Sequence, residues 1–79
     1  MSRVVLFSTS TCPWCKRAAR HLRERGVPYK EINVERDPKA ARDLVRKTGQ
    51  TGVPVLKIGG KWIVGFDKDR IDRELDRRT

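Results

Sequence analysis

Apolar positions along the chain fall into short runs separated by polar, glycine and proline punctuation. Arg3 to Phe7 is β-branched and apolar and predicts a buried strand. Ser8-Thr9-Ser10-Thr11 stops it, and Pro13 suits the first turn of a helix, where a missing N–H costs nothing. Cys15, Ala18, Ala19 and Leu22 then recur at helical spacing as one apolar stripe, with Lys16, Arg17, Arg20 and Arg23 mostly on the other side. Gly26 predicts the end of this helix. Tyr29 to Val34 alternates, with Ile32 and Val34 on one face, and predicts a second strand. Asp37-Pro38 supplies an N-cap acceptor followed by proline at the first helical position. Ala41, Leu44, Val45 and Thr48 are expected to share a face of that helix, which Gly49 closes. Pro54 to Ile58 predicts a third strand and Lys61 to Val64 a fourth. Between them Gly59-Gly60 can adopt the positive φ angles of a two-residue hairpin turn, which is expected there. Asp67 is the expected N-cap of a last helix in which Ile71 and Leu75 are spaced i,i+4.

The predicted order is β-α-β-α-β-β-α. Its first half suits a parallel βαβ unit with a right-handed crossover, and its second an antiparallel hairpin with a closing helix. The expectation is an α/β fold with a four-stranded mixed sheet flanked by helices, forming a single domain over residues 1–79. A chain of 79 residues leaves room for one small domain, which buries roughly 60–65% of its unfolded surface. No run approaches the roughly 18 apolar residues of a membrane span. Val4 to Phe7 is too short for a signal-peptide core, and no small-residue cleavage site follows it. A soluble, cytoplasmic, monomeric protein without membrane association is therefore expected.

Charge and cysteine content change this picture. Lys and Arg number 19 against 10 Asp and Glu, a formal charge of +9 at pH 7. The excess concentrates on residues 12–25, where Lys16, Arg17, Arg20, Arg23 and Arg25 face Glu24 alone, while residues 67–79 balance. Aromatic residues are only 6% and no nucleic-acid-binding motif is present, which disfavours nucleic acid as a partner. A basic face can favour a neighbouring thiolate and attract anionic partners. An Arg-rich solvated surface accounts equally well for the charges away from Lys16 and Arg17.

Both cysteines lie in Cys12-Pro13-Trp14-Cys15. Thiolates, not thiols, carry out sulfur chemistry. Cys12 sits where the first strand passes into the first helix, and the unpaired N–H groups and dipole of a helix start favour an anion there. Cys15 lies one turn on, on the same face, close enough for a disulfide, and its place on the apolar stripe implies burial. Cys12 is thus the expected nucleophile and Cys15 the resolving thiol. Pro13 stiffens the short ring, and Trp14 is expected to be exposed, over the sulfurs or against a partner. Structural zinc takes four ligands, and the only histidine, His21, lies about 240° around the helix from Cys15. A metal site within one chain is therefore not expected, and His21 reads as a solvated or edge residue. A metal or iron–sulfur centre shared by two protomers stays open as a non-enzymatic alternative. A purely structural disulfide would close too small a loop to constrain the unfolded chain.

Val4-Val5-Leu6-Phe7, Thr11-Cys12-Pro13-Trp14-Cys15, Gly52-Val53-Pro54 and Gly65-Phe66-Asp67 together resemble the glutaredoxin-like proteins of the thioredoxin superfamily, in order and spacing, over essentially the whole chain. The resemblance implies a thioredoxin fold and a thiol-disulfide oxidoreductase acting on protein or glutathione mixed disulfides. Cys12 resembles the nucleophile and Cys15 the resolving cysteine, with Pro13 and Lys16 in support. Val53-Pro54 resembles the segment with a cis proline beside the active cysteines, whose Val53 backbone pairs with substrate. Gly65-Phe66-Asp67 resembles the loop that holds the γ-glutamyl end of glutathione, with Asp67 receiving the ammonium group; Gln50 aligns with a position meeting the glycyl carboxylate. Trp14 stands where the family usually has Tyr, Thr9 where it has Lys, and Val64-Gly65 where it has Gly-Gly. The Gly65-Phe66 pair is more like NrdH-type redoxins, which take electrons from thioredoxin reductase, although Asp67 is usually absent from that type. The implied electron source is glutathione or a flavin-dependent reductase with NADPH, and no cofactor is bound to the protein itself.

Overall fold

The structure, a computed structural model, describes residues 4–50 and 52–77. Arg3, the expected first residue of the opening strand, lies outside them. The elements are β1 (Val4–Ser8), α1 (Pro13–Glu24), β2 (Lys30–Asn33), α2 (Pro38–Thr48), β3 (Val55–Ile58), β4 (Lys61–Val64) and α3 (Lys68–Arg77). The sheet order is β2-β1-β3-β4. β1 runs parallel to β2, and β3 is antiparallel to both β1 and β4. The four-stranded mixed sheet and the order of elements are those expected from the chain.

Local chemistry explains most of the boundaries. Asp37 caps α2, its Oδ1 accepting the Ala40 N–H at 3.0 Å, and Pro38 follows at the first helical position. Gly49 ends α2 in a left-handed conformation, φ 76°, and its N–H returns to the Val45 carbonyl at 2.8 Å. α1 closes with Gly26 N–H on the Arg23 carbonyl and Val27 N–H on the Leu22 carbonyl, both at 3.0 Å. Asp67 caps α3, its Oδ1 accepting the Arg70 N–H at 3.2 Å. In the β3–β4 hairpin only Gly59, φ 61°, takes the positive-φ conformation expected of both glycines. A turn with positive φ at its first central residue alone fits the twist of the flanking strands as well as one with two.

The core lies in two layers. Between α1, α3 and one face of the sheet, Leu6, Ala18, Leu22, Leu56, Ile63 and Ile71 are fully buried, joined by Val4, Ala19, Ile58 and Leu75. The stripe predicted on α1 is the buried one. On the other face α2 packs alone, burying Phe7, Ala40, Leu44 and Val55. Here the expected face of α2 is corrected. Ala40 and Leu44 are its buried residues, Ala41 and Thr48 are half-buried, and Val45 is 40% exposed. One short helix crossing a sheet buries a stripe narrower than its run of apolar residues, and Val45 falls outside it.

Candidate active site

Cys12 is itself the N-cap of α1, with extended backbone (φ −96°, ψ 109°). Its Sγ accepts the Cys15 N–H at 3.1 Å, the place an Asp or Ser oxygen occupies at an ordinary helix start. Pro13 holds the first helical position, as expected. The Cys12 thiol also faces the Val53 carbonyl at 3.9 Å. Both cysteines are free thiols. Cys12 is partly exposed and Cys15 is 1% exposed. Burial pushes the Cys15 thiol up to about 12, and its hydrogen bond to Cys12 adds to the shift. The two sulfurs are thus inequivalent in the sense expected: one at a helix N-terminus within reach of solvent, the other held neutral underneath it.

The Val53-Pro54 peptide bond is cis. Pro54 is buried, and its carbonyl accepts the Gly65 N–H at 2.8 Å, tying the loop before α3 to the segment facing Cys12. Gly65 takes φ 82° there, a conformation that a side chain strains. Trp14, Val53, Pro54, Gly65 and Phe66 line one shallow depression of about 310 Å³. Trp14 is 54% exposed and tilts against Phe66, ring centroids 6.3 Å apart. Asp67 is exposed, one residue beyond Phe66. Gln50 is exposed just past the end of α2, its N–H on the Thr48 hydroxyl at 3.3 Å, and it does not line the depression. Lys16 is exposed on the first turn of α1. Among the described residues no group of three or more His, Cys, Asp or Glu side chains gathers as metal ligands would.

Two contributors to this region escape sequence reasoning. The guanidinium of Arg17 lies over the Trp14 ring, 4.8 Å from its centroid, a cation–π contact that i,i+3 spacing on a helix could have suggested. His21 is the other, and its reading as a solvated or edge residue is corrected. Its side chain is 11% exposed, 2.7 Å from Asp72, and meets the edge of Phe66 at 5.8 Å. Asp72 also accepts from Arg25 at 2.9 Å and Lys68 at 3.1 Å, and Arg25 reaches Asp76 at 2.8 Å. Burial alone would raise the Asp72 carboxyl, but hydrogen bonds from His21, Arg25 and Lys68 outweigh it and hold it well below the usual carboxylate range. His21 lost its solvent because α3 covers that side of α1, and nothing local to residue 21 records this.

A cysteine pair opening the helix after the first strand, on this order of strands and helices, is the arrangement of thioredoxin-fold thiol proteins. The solved glutaredoxin of Archaeoglobus fulgidus superposes with a TM-score of 0.85 at 28% identity, covering 95% of this chain and 87% of its own. The glutaredoxin-like NrdH-redoxin of Escherichia coli superposes at 0.81 with 33% identity, covering 89% and 91%. The chain belongs to the glutaredoxin family: the family model Glutaredoxin matches residues 4–63. A relative from Clostridium pasteurianum, described as an uncharacterized glutaredoxin-like 8.6 kDa protein in rubredoxin operon, is 36% identical over 94% of this chain and 99% of its own. No helix among the described residues is long and apolar enough to cross a membrane.

Proposed function

We propose that the protein is a dithiol thiol-disulfide oxidoreductase in which Cys12 attacks and Cys15 resolves. The observation that carries this reading is the inequality of the two thiols: Cys12 accepts the Cys15 N–H at a helix start, while Cys15 lies buried beneath it. The Cys12 thiolate attacks one sulfur of a substrate disulfide, forming a mixed disulfide and expelling the other sulfur as a thiolate that takes up a proton. Cys15 loses its proton and attacks Cys12 Sγ, releasing the second substrate thiolate. Two electrons and two protons pass to the substrate, and the protein is left with a Cys12–Cys15 disulfide. Val53 offers its backbone to an extended substrate, Trp14, Pro54, Gly65 and Phe66 form the wall beside it, and Pro13 and Lys16 support the helix start. The protein acts as a cytoplasmic monomer with no bound cofactor.

Glutathione is the first reading of the electron source, with Asp67 meeting its ammonium group and Gln50 its glycyl carboxylate. A flavin-dependent thioredoxin reductase is the second. It is favoured by the Gly65-Phe66 pair and by similarity to the NrdH-redoxin, whose structure is described as explaining a thioredoxin-like activity profile. Cys12→Ser should abolish disulfide reduction, and retained activity would refute the assignment of the nucleophile. Cys15→Ser should accumulate mixed disulfides visible by mass spectrometry. Supplying the oxidised protein with either glutathione and its reductase or thioredoxin reductase, and following NADPH consumption, separates the two electron sources.

A further inference from the structure

The depression beside Cys12 does not end at Phe66. On the other side of that ring a second depression, about 350 Å³, is lined by Arg17, Arg20, His21, Glu24, Phe66 and Lys68. Phe66 is the wall shared by both. The first is apolar and the second is cationic: Arg17, Arg20 and Lys68 outnumber Glu24, its only carboxylate.

The carboxylates nearby leave this surplus standing. Arg20 pairs with Glu24 at 3.4 Å, and Lys68 with Asp72 at 3.1 Å. Asp72 is in turn shared with His21 and Arg25, so it is already over-subscribed. Arg17 has no carboxylate among the described residues; it rides on the exposed Trp14 ring and is itself exposed. A guanidinium held over an aromatic face by a cation–π contact spends no N–H donor on a carboxylate and keeps donors for an anion. Arg17 therefore stands at the junction of the two depressions, joined through Trp14 to the apolar one and lining the cationic one.

We propose that this cationic depression is a substrate subsite. It would select protein disulfides whose flanking sequence carries an acidic side chain two to four residues from the attacked cysteine. The proposal rests on the thiol-disulfide reading above and names the substrate class of that site. The span follows from the aromatic row Trp14–Phe66–His21, whose successive centroids lie 6.3 and 5.8 Å apart. An extended chain advancing about 3.3 Å per residue crosses that row in two to four residues. Its Asp or Glu then reaches Arg17 and Arg20 while its disulfide faces Cys12. Neither Asp67 nor Gln50 lines this depression. Charges at a binding rim act mainly on encounter rate and its salt dependence.

The test uses the full chain, dithiothreitol as electron donor, and three synthetic peptides with one internal disulfide each. One carries Glu three residues from the first cysteine, the second Gln at the same place, and the third Glu about eight residues away, beyond reach of the row. The neutral 2-hydroxyethyl disulfide serves as reference. The near-Glu peptide should be reduced roughly three- to ten-fold faster than the Gln peptide in dilute buffer. That ratio should shrink toward one between about 10 mM and about 300 mM salt. It should also approach one in the double variant Arg17→Gln/Arg20→Gln, both exposed positions. Equal rates for the near-Glu and Gln peptides would overturn the subsite. So would a far-Glu peptide as good as the near one, or a preference that survives the double variant. If the reference disulfide itself is not reduced by the unaltered protein, the thiol-disulfide reading fails instead.

Discussion

On the α1/α3 side of the sheet the core is closed. Ten buried residues from β1, α1, β3, β4 and α3 pack together; His21 and Arg25 reach across to Asp72 and clamp α3 onto α1, while Lys68 joins Asp72 from within α3. On the α2 side four residues are buried. Val5, Ile32 and Trp62 there are only partly covered, Trp62 stacks on Phe7 at 5.4 Å, and a cleft of about 420 Å³ opens between α2 and the sheet. The same sheet thus carries a closed layer and an open one. The closed layer holds the helix that begins at Cys12 and the loop that ends at Phe66. A helix start can fix a sulfur against the Val53 carbonyl only if the helix itself does not shift. The open layer supplies β1 and β3 with cover, and of the residues packed against it only Val53 lines the depression at Cys12.

The largest effect should come from truncating matched leucines, one per layer. Leu22→Ala should cost about 3–5 kcal/mol of unfolding free energy and Leu44→Ala about 2–3 kcal/mol, although both are almost fully buried. The closed layer cannot collapse around its cavity, whereas the open one admits water and relaxes. Equal losses in denaturant titrations would remove the contrast.

Next comes the clamp. Asp72→Asn should cost about 1–2 kcal/mol at neutral pH, because one amide cannot satisfy three donors. Its pH dependence has a definite sign. The folded state holds the Asp72 carboxyl below its ordinary value, so the unfolded chain binds the proton more readily. The stabilisation is complete above the ordinary carboxylate range, about 3.9, and is lost as pH falls below it. The variant should therefore show a flatter acid limb than the parent, and superimposable limbs would refute the clamp.

Cys15 acts in the opposite direction. Its thiol is pushed up from 9.0 to about 12, so the folded state keeps a proton that the unfolded chain gives up. That contribution is whole below about pH 9 and drains away as pH rises toward 12. Under reducing conditions, Cys15→Ala should lose less stability than the parent on alkaline titration. On the open side, Asp37→Ala should cost about 1 kcal/mol through loss of the α2 cap. The smallest effect belongs to Val45→Lys, expected within about 0.5 kcal/mol, since Val45 is exposed. A large loss there would mean that α2 is covered in solution by something beyond the described residues.

The chain's own chemistry determined the order of elements and most of their ends. Asp37-Pro38, Asp67 and Gly49 are local devices that act within a few residues, and each does in the structure what its type dictates. The buried stripe of α1 and the inequality of Cys12 and Cys15 were legible for local reasons: helical periodicity places Cys15 inward, and the end of the first strand with Pro13 next in line places Cys12 at the helix start. The face of α2 was legible only in part, because a short run of apolar residues at helical spacing does not say how much of it one sheet can cover. Contacts between residues far apart along the chain arise only once the elements have docked. The Val53 carbonyl faces Cys12 from 41 residues away, and Asp72 reaches His21 from 51. Sheet order and the docking of α3 create those contacts. No local preference at either partner encodes them, since the free energy that fixes them comes from burying the layer as a whole.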